Sequence, residues 1–276
     1  MEKYTRSIIP VIEYNYENLT TMEKTIADFF IKNKKRVDFS AKAVAERLFV
    51  SEASLSRFAK KCGYRGYREF IYQYEETFQD GRKKPIQGSM ARVLDCYQEV
   101  LNKTYNLADE TKLRRISRMM RKAERIFVCG VGSSGIVARE TELRFMRIGM
   151  NINSLIERDM IRMRAVFQDE RSMVIGLSMK GETKEVRYIL RKAHERKAKC
   201  VLVTARNNPE FREFCDEIIL VPGLDNLDNG DLISPQFPML AMMDILYACY
   251  LDQDQSMTKA FLQDTAEALR ESVQEV

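Results

Sequence analysis

Apolar residues recur at two different periods along this 276-residue chain, and the change of period divides it. In the first third the spacing is helical. Ile26, Phe29 and Phe30 give one apolar face to a helix that opens at Thr20, where Glu23 three residues on can complete a capping box. Ser40 can cap a second, short helix through Val44, Ala45 and Leu48, and Ser51 a third that Gly63 ends. In that third helix Leu55, Phe58 and Cys62 lie at i, i+3 and i+7 and must face inward, which leaves Ser54, Ser56, Arg57, Lys60 and Lys61 facing out.

From Arg125 onward short apolar runs alternate with helical patterns. Strands are expected at Arg125–Cys129, Asn151–Leu155, Ser172–Leu177, Lys199–Thr204 and Glu217–Val221, the alternation of an α/β domain with a parallel sheet flanked by helices on both faces. Ahead of them, Val93, Leu94, Tyr97, Val100, Leu101 and Tyr105 recur at helical spacing over Met90 to Asn106, and another helix is expected from Glu110 to Lys122. These two helices either mediate self-association or cover the sheet. The segment Asp80 to Ser89, with two glycines, a proline and three cations, reads as the boundary. The expected organisation is an all-α domain over 1–80, a linker and connecting helix over 81–106, and the α/β domain with C-terminal helices over 107–276.

Composition changes this picture little. A hydrophobic content of 45% with 31% charged residues suits a globular chain with a sizeable core. The longest apolar runs, Ile218 to Val221 and Met239 to Met243, are far too short to span a bilayer, and no signal-type apolar segment opens the chain, so a cytoplasmic protein without membrane contact is expected. Six cysteines lack any C-x-x-C spacing and His194 is the sole histidine, so no metal site and no cofactor is expected, only buried reduced thiols.

Charge matters more where it clusters. The net charge is +5, yet between Lys32 and Arg68 eleven cations face three acids, a local excess of eight. Two short helices joined by a tight turn, the second presenting hydroxyls and then cations, is the helix-turn-helix arrangement for entering a DNA major groove. Ser51, Glu52, Ser54 and Ser56 are the candidates near base edges, and Lys42, Arg57, Lys60, Lys61 and Arg65 those for phosphates. The competing reading is a small interaction bundle with a solvated basic face. The segment from Ser40 to Glu46 and from Ser51 to Phe70 resembles the N-terminal domain of the RpiR family of bacterial transcriptional regulators, a likeness that covers roughly the first 80 residues. Its most specific part is the corner Lys60-Lys61-Cys62-Gly63-Tyr64-Arg65-Gly66-Tyr67, whose glycines serve a chain reversal that lets Tyr64, Tyr67 and Phe70 pack back onto the bundle.

The first strand runs into Gly130-Val131-Gly132-Ser133-Ser134-Gly135 and then a helix, a turn built to hold an anion on backbone N–H groups and the positive end of the helix dipole. It is literally a G-x-G-x-x-G, and Glu157 stands about where a ribose-binding acid would, so a dinucleotide is a rival ligand. Two features weigh against it: the adjacent hydroxyls Ser133 and Ser134 suit a terminal phosphate, and the third strand ends in a second such loop, Ser178-Met179-Lys180-Gly181-Glu182-Thr183.

This pair of loops resembles the sugar isomerase (SIS) domain, the phosphosugar-binding module that follows the helix-turn-helix in the RpiR family, over about Leu107 to Leu251. The resemblance implies that Gly132, Ser133 and Ser134 hold a phosphate from the first loop and Ser178, Gly181 and Thr183 from the second. The family's second loop usually reads Ser-x-Ser-Gly-x-Thr, and here Lys180 stands at the second serine. Lys180 is expected to supply a point charge to the phosphate; the alternative is that it fills the pocket or points to solvent. SIS domains also occur in aldose-ketose isomerases, which need a positioned base. His194 lies in a charged helix and is expected to be exposed, and Glu182 reads as a first-turn residue favoured by the helix dipole, so a sensor without turnover is expected. The whole is then expected to be a transcriptional regulator that binds a double-stranded DNA operator, senses a phosphorylated sugar, controls sugar or amino-sugar metabolism and works as a homodimer or homotetramer. The rivals are a phosphosugar isomerase and a dinucleotide-sensing repressor.

Overall fold

The computed structural model describes residues 8–33, 35–76, 88–225, 227, 229–253 and 255–274, and these fall into two compact units, 1–91 and 92–276. The expected boundary segment lies outside the described residues from 80 to 87.

Among the described residues the first unit holds five α-helices: α1 (Ile9–Asn15), α2 (Thr21–Lys32), α3 (Ala41–Leu48), α4 (Glu52–Lys61) and α5 (Tyr67–Glu76). The expected caps are present. Thr20 N–H donates to Glu23 Oε2 at 2.8 Å, and Ser40 and Ser51 accept from Ala43 and Ser54 N–H at 3.3 and 3.1 Å. Phe30 sits at the centre, edge-on to Phe70 and Tyr74 at 4.9 and 4.8 Å and stacked with Phe58 at 6.2 Å. Tyr74 and Tyr67 are buried with their hydroxyls donating to the carbonyls of Phe30 and Phe39, at 2.9 and 3.1 Å, which removes the cost of burying a phenol. Tyr64 meets Phe70 edge-on at 5.5 Å, so the Gly63–Gly66 corner returns its aromatics to the bundle as expected. The helix α1 was not anticipated: at seven residues, with Ile8 and Ile12 as its buried anchors, it is too short to show a period.

The second unit contains α6 (Ser89–Leu107) but for its first residues, α7 (Glu110–Lys122), then β1 (Arg125–Gly130), α8 (Ser133–Met146), β2 (Ile152–Leu155), α9 (Arg158–Ala165), β3 (Ser172–Leu177), α10 (Lys184–Glu195), β4 (Lys199–Thr204), β5 (Glu217–Leu220), α11 (Phe237–Leu251) and α12 (Gln255–Gln274). All five strands pair in parallel in the order β2-β1-β3-β4-β5. The sheet is buried on both sides, and the alternation of side chains along β1 shows how. Ile126 and Val128 face α7, α8 and α11, whereas Phe127 and Cys129 face α9 and α10. On that second face Gly176 lets α10 approach closely, since a Cβ there would lie 2.8 Å from both Val186 and Leu190.

Cys96 and Val100 of α6 pack with Leu227 and Ile233, and Tyr97 meets Phe237 edge-on at 4.5 Å. Beside them Leu101, Tyr105, Leu113, Ile136, Leu240 and Ile245 line an open, largely apolar groove of about 940 Å³, with Tyr105 and Ile136 exposed. All six cysteines are buried and unpaired, and burial pushes the Cys129 thiol up to about 12. Among the described residues no helix is long and apolar enough to cross a membrane.

Phe30→Ala is expected to cost the first unit about 3–5 kcal/mol, the range for emptying a fully buried aromatic site. Chemical denaturation followed by near-ultraviolet circular dichroism should show this unit unfolding early while the α/β unit keeps its transition.

Candidate functional site

In the first unit α3 ends in Phe49, whose left-handed backbone (φ 54°, ψ 42°) turns the chain into the Ser51 cap of α4. This is a helix-turn-helix. Leu55, Phe58 and Cys62 of α4 are buried as expected, and Ser51, Glu52, Arg57 and Lys60 are exposed, as are Lys42 on α3 and Arg65 after the corner; Ser56 is half-buried. Ser54 is a correction. Expected on the outer face, it is only 4% exposed, because its hydroxyl is drawn into the cap: it hydrogen-bonds Ser51 Oγ at 2.8 Å and accepts from the Arg57 guanidinium at 3.0 Å. Lys61, also placed on the outer face, is half-committed inward. Its ammonium donates to Glu23 Oε2 at 2.6 Å and so ties the end of α4 to the start of α2. Arg57, Lys60 and Lys61 share a concavity of about 500 Å³ with Met22 and Thr20.

Burial of Glu23 pushes its carboxyl up, but the hydrogen bonds from Lys61 and from Thr20 outweigh this and hold it below the ordinary carboxylate value. Its ionised form is thus the one the fold prefers.

In the second unit, β1 pairs with β3 so that Gly130 faces Leu177. The two loops therefore leave the sheet side by side at its carboxyl edge, one strand spacing of about 4.8 Å apart. The strand order reverses between β1 and β3, which is where ligands bind in open α/β sheets. Gly132 at φ 62°, ψ −130° occupies backbone space reserved for glycine, and a Cβ on Gly130 would come within 2.6 Å of the Ser134 carbonyl. These glycines bring the start of α8 against the end of β1. Neither N-cap residue, Gly132 of α8 nor Thr183 of α10, makes a side-chain cap hydrogen bond, as is also so of α9 and α11, and in the first turn of α10 the Glu185 N–H is taken by its own carboxylate. Ser133 is exposed and Ser134 half-buried, its Oγ turned to Met239 Sδ at 3.8 Å. Ser178 is buried and its Oγ lies 2.9 Å from Thr183 Oγ1. Gly181 (φ 68°) fits because a Cβ there would overlap the Phe211 ring.

Lys180 is exposed, and with Glu182, Arg187, Arg206, Asn207 and Asn208 it lines a cavity of about 610 Å³ that none of Ser133, Ser134, Ser178 and Thr183 lines. The polar turn after β4, Arg206 to Asn208, carries no motif in the sequence; its signal there is a polar loop following an apolar strand. Glu182 is another correction. It precedes the helix, which starts at Lys184 after the Thr183 cap, and the first-turn acid is Glu185, buried and paired with Arg158 at 3.2 Å.

The chain matches two family models: the helix-turn-helix domain of the rpiR family over residues 7–81 and the SIS domain over residues 119–246. It is 26% identical over 270 residues to an uncharacterised HTH-type transcriptional regulator of Haemophilus influenzae, covering 93% of this chain and 94% of that one. It is 23% identical over 252 residues to the HTH-type transcriptional regulator RpiR of Escherichia coli K12, with 87% and 84% covered. The structure of the Vibrio vulnificus NanR protein complexed with ManNAc-6P superposes with a TM-score of 0.60 at 24% identity, covering 95% of this chain and 98% of that one. The chain belongs to the RpiR family.

In this RpiR-family transcriptional regulator the loops after β1 and β3 lie side by side at the sheet edge, and the position of the other polar candidates bears on their use. His194 is exposed in the last turn of α10, on the order of 15 Å along the helix from the loop end. Glu157 is exposed just beyond β2, the place of a ribose-binding acid, but the second hydroxyl-bearing loop has no counterpart in a dinucleotide site.

Two outcomes follow from this geometry. Because the Glu23 carboxyl is held low in the fold, its contribution to stability is complete above its unfolded value of about 4.5 and is lost as pH falls through the lower folded value. Acid titrations of parent and Glu23→Gln should therefore differ in stability near neutrality and converge below that window. Gly181→Ala should cost about 1–3 kcal/mol through positive φ and overlap with Phe211, measured by thermal unfolding of the α/β unit.

Proposed function

We propose that this RpiR-family regulator binds a phosphorylated sugar through its SIS domain and that the bound sugar changes the affinity of its helix-turn-helix for a double-stranded DNA operator. The observation that carries the proposal is the pair of neighbouring helix N-termini, α8 and α10, at the sheet's switch point, neither with a side-chain hydrogen bond from its N-cap, with the hydroxyls of Ser133 and Ser134 in the first turn of α8 and those of Ser178 and Thr183 ahead of α10. Ser133 and Ser134 with the Gly132 turn offer donors from one side; Ser178 and Thr183, already hydrogen-bonded to each other, offer them from the other, with Gly181 giving close backbone approach. Lys180 and Arg206 add cations from the neighbouring cavity, which the loop hydroxyls do not line. The ManNAc-6P in the NanR complex supports a sugar phosphate as the ligand class, with control of sugar or amino-sugar metabolism as the role.

On the DNA side, Ser51, Glu52 and Ser56 face the base edges, and Lys42, Arg57, Lys60 and Arg65 the phosphates, with Lys61 shared between Glu23 and the backbone. Ser54 acts one step removed, by holding Arg57. Reading paired half-sites calls for a homo-oligomer, and the apolar groove between α6, α8 and α11 is a surface of the right character for one. Catalysis has no place in this reading: the relatives it resembles are named as transcriptional regulators, and the lone histidine stands away from the loops.

The test uses the full-length chain. Calorimetry with ManNAc-6P, glucose 6-phosphate and glucosamine 6-phosphate should find a binder, and that binder should change affinity for upstream DNA by about tenfold, within the usual range of coupling. Lys180→Ser should weaken the sugar phosphate several-fold; tighter binding in the variant would exclude a phosphate role for Lys180, and unchanged DNA affinity at saturating ligand would refute the sensor.

A further inference from the structure

Phe49 is one of two non-glycine residues at positive φ among those described, and its side chain is 95% exposed. Glycine would make the same turn without strain. An aromatic residue here pays conformational energy and recovers none by burial, so the fold does not account for it. Its surroundings bear on what does. The ring lines a concavity of about 680 Å³ with Lys42, Glu46, Val50 and Glu52, three of them charged, and stands three positions ahead of Glu52, the first residue of α4. It is an isolated ring within a polar rim and lacks the contiguous apolar patch on which proteins dock.

Helix-turn-helix docking brings the N-terminal residues of the second helix to base edges in the major groove. The groove offers one apolar feature, the C5-methyl group of thymine, and a side chain suited to it is apolar, exposed and held next to that helix start. Phe49 meets all three conditions. We infer that Phe49 is a specificity residue: its ring makes van der Waals contact with the C5-methyl group of a thymine that neighbours the bases read from the start of α4. The left-handed turn aims the ring outward.

The inference rests on the operator-binding reading, and the experiment separates the two. Duplexes enriched by the full-length parent from a random-sequence library are prepared twice, with thymine and with uracil, which differ only by the methyl group. The parent should bind the uracil duplex about fourfold more weakly per half-site, the worth of one buried methyl group. Phe49→Gly, which relieves the positive φ and should melt no lower than the parent, should bind the thymine duplex more weakly and discriminate little between the two. Equal parent affinity for both duplexes, or the same discrimination in Phe49→Gly, overturns the role of Phe49 while leaving DNA binding intact. If the parent enriches no duplex at all, both readings fall.

Discussion

The pairing of β1 with β3 is the contact on which the SIS domain depends. With β2 on one side of β1 and β3 on the other, the strand order reverses, and the loops that leave the two central strands emerge next to each other with no helix between them. Everything else in that region accommodates this closeness. Gly130 and Gly132 let α8 begin against the strand, Gly176 lets α10 settle onto the opposite face, and Gly181 leaves room for Phe211. Replace the pairing and two isolated helix ends remain; keep it and the loops that lead into both helices leave adjacent strands at the same edge of the sheet.

The helix-turn-helix solves a different problem, that of holding a short amphipathic helix still. Its inner face is fixed by aromatics around Phe30, and its polar side is fixed too, by hydrogen bonds running from Ser51 through Ser54 to Arg57 and by the Lys61–Glu23 ion pair. The polar groups of α4 thus divide between those that face solvent and those that position their neighbours.

How legible this was in the chain follows the range of the interactions concerned. Caps at Thr20, Ser40 and Ser51 act over three residues, and so they could be read directly; the buried faces of α4 and the five strands follow from periods within one element, and their bounds agree within one or two residues. Ser54 misled because it lies at the edge of the buried face, one turn before Phe58, where the period alone does not decide; its own cap and a guanidinium one turn away enclose it. Glu182 misled for a related reason, since the loop runs on to Thr183 before the helix begins and the dipole-favoured place passes to Glu185. The β4 turn at Arg206 to Asn208 could not be joined to Lys180 from spacing alone; the parallel pairing of β3 with β4 brings them together.

The ion pair between Glu23 and Lys61 has a consequence for control. It links residues 38 positions apart and, with Tyr74 hydrogen-bonded to the carbonyl of Phe30, makes the DNA-reading bundle a single stiff block from α2 to α5. A signal from elsewhere in the protein therefore has little to remould inside that block. On the proposed sensor reading the effector would act like a hand on a key, changing where the teeth are presented and leaving their cut unchanged.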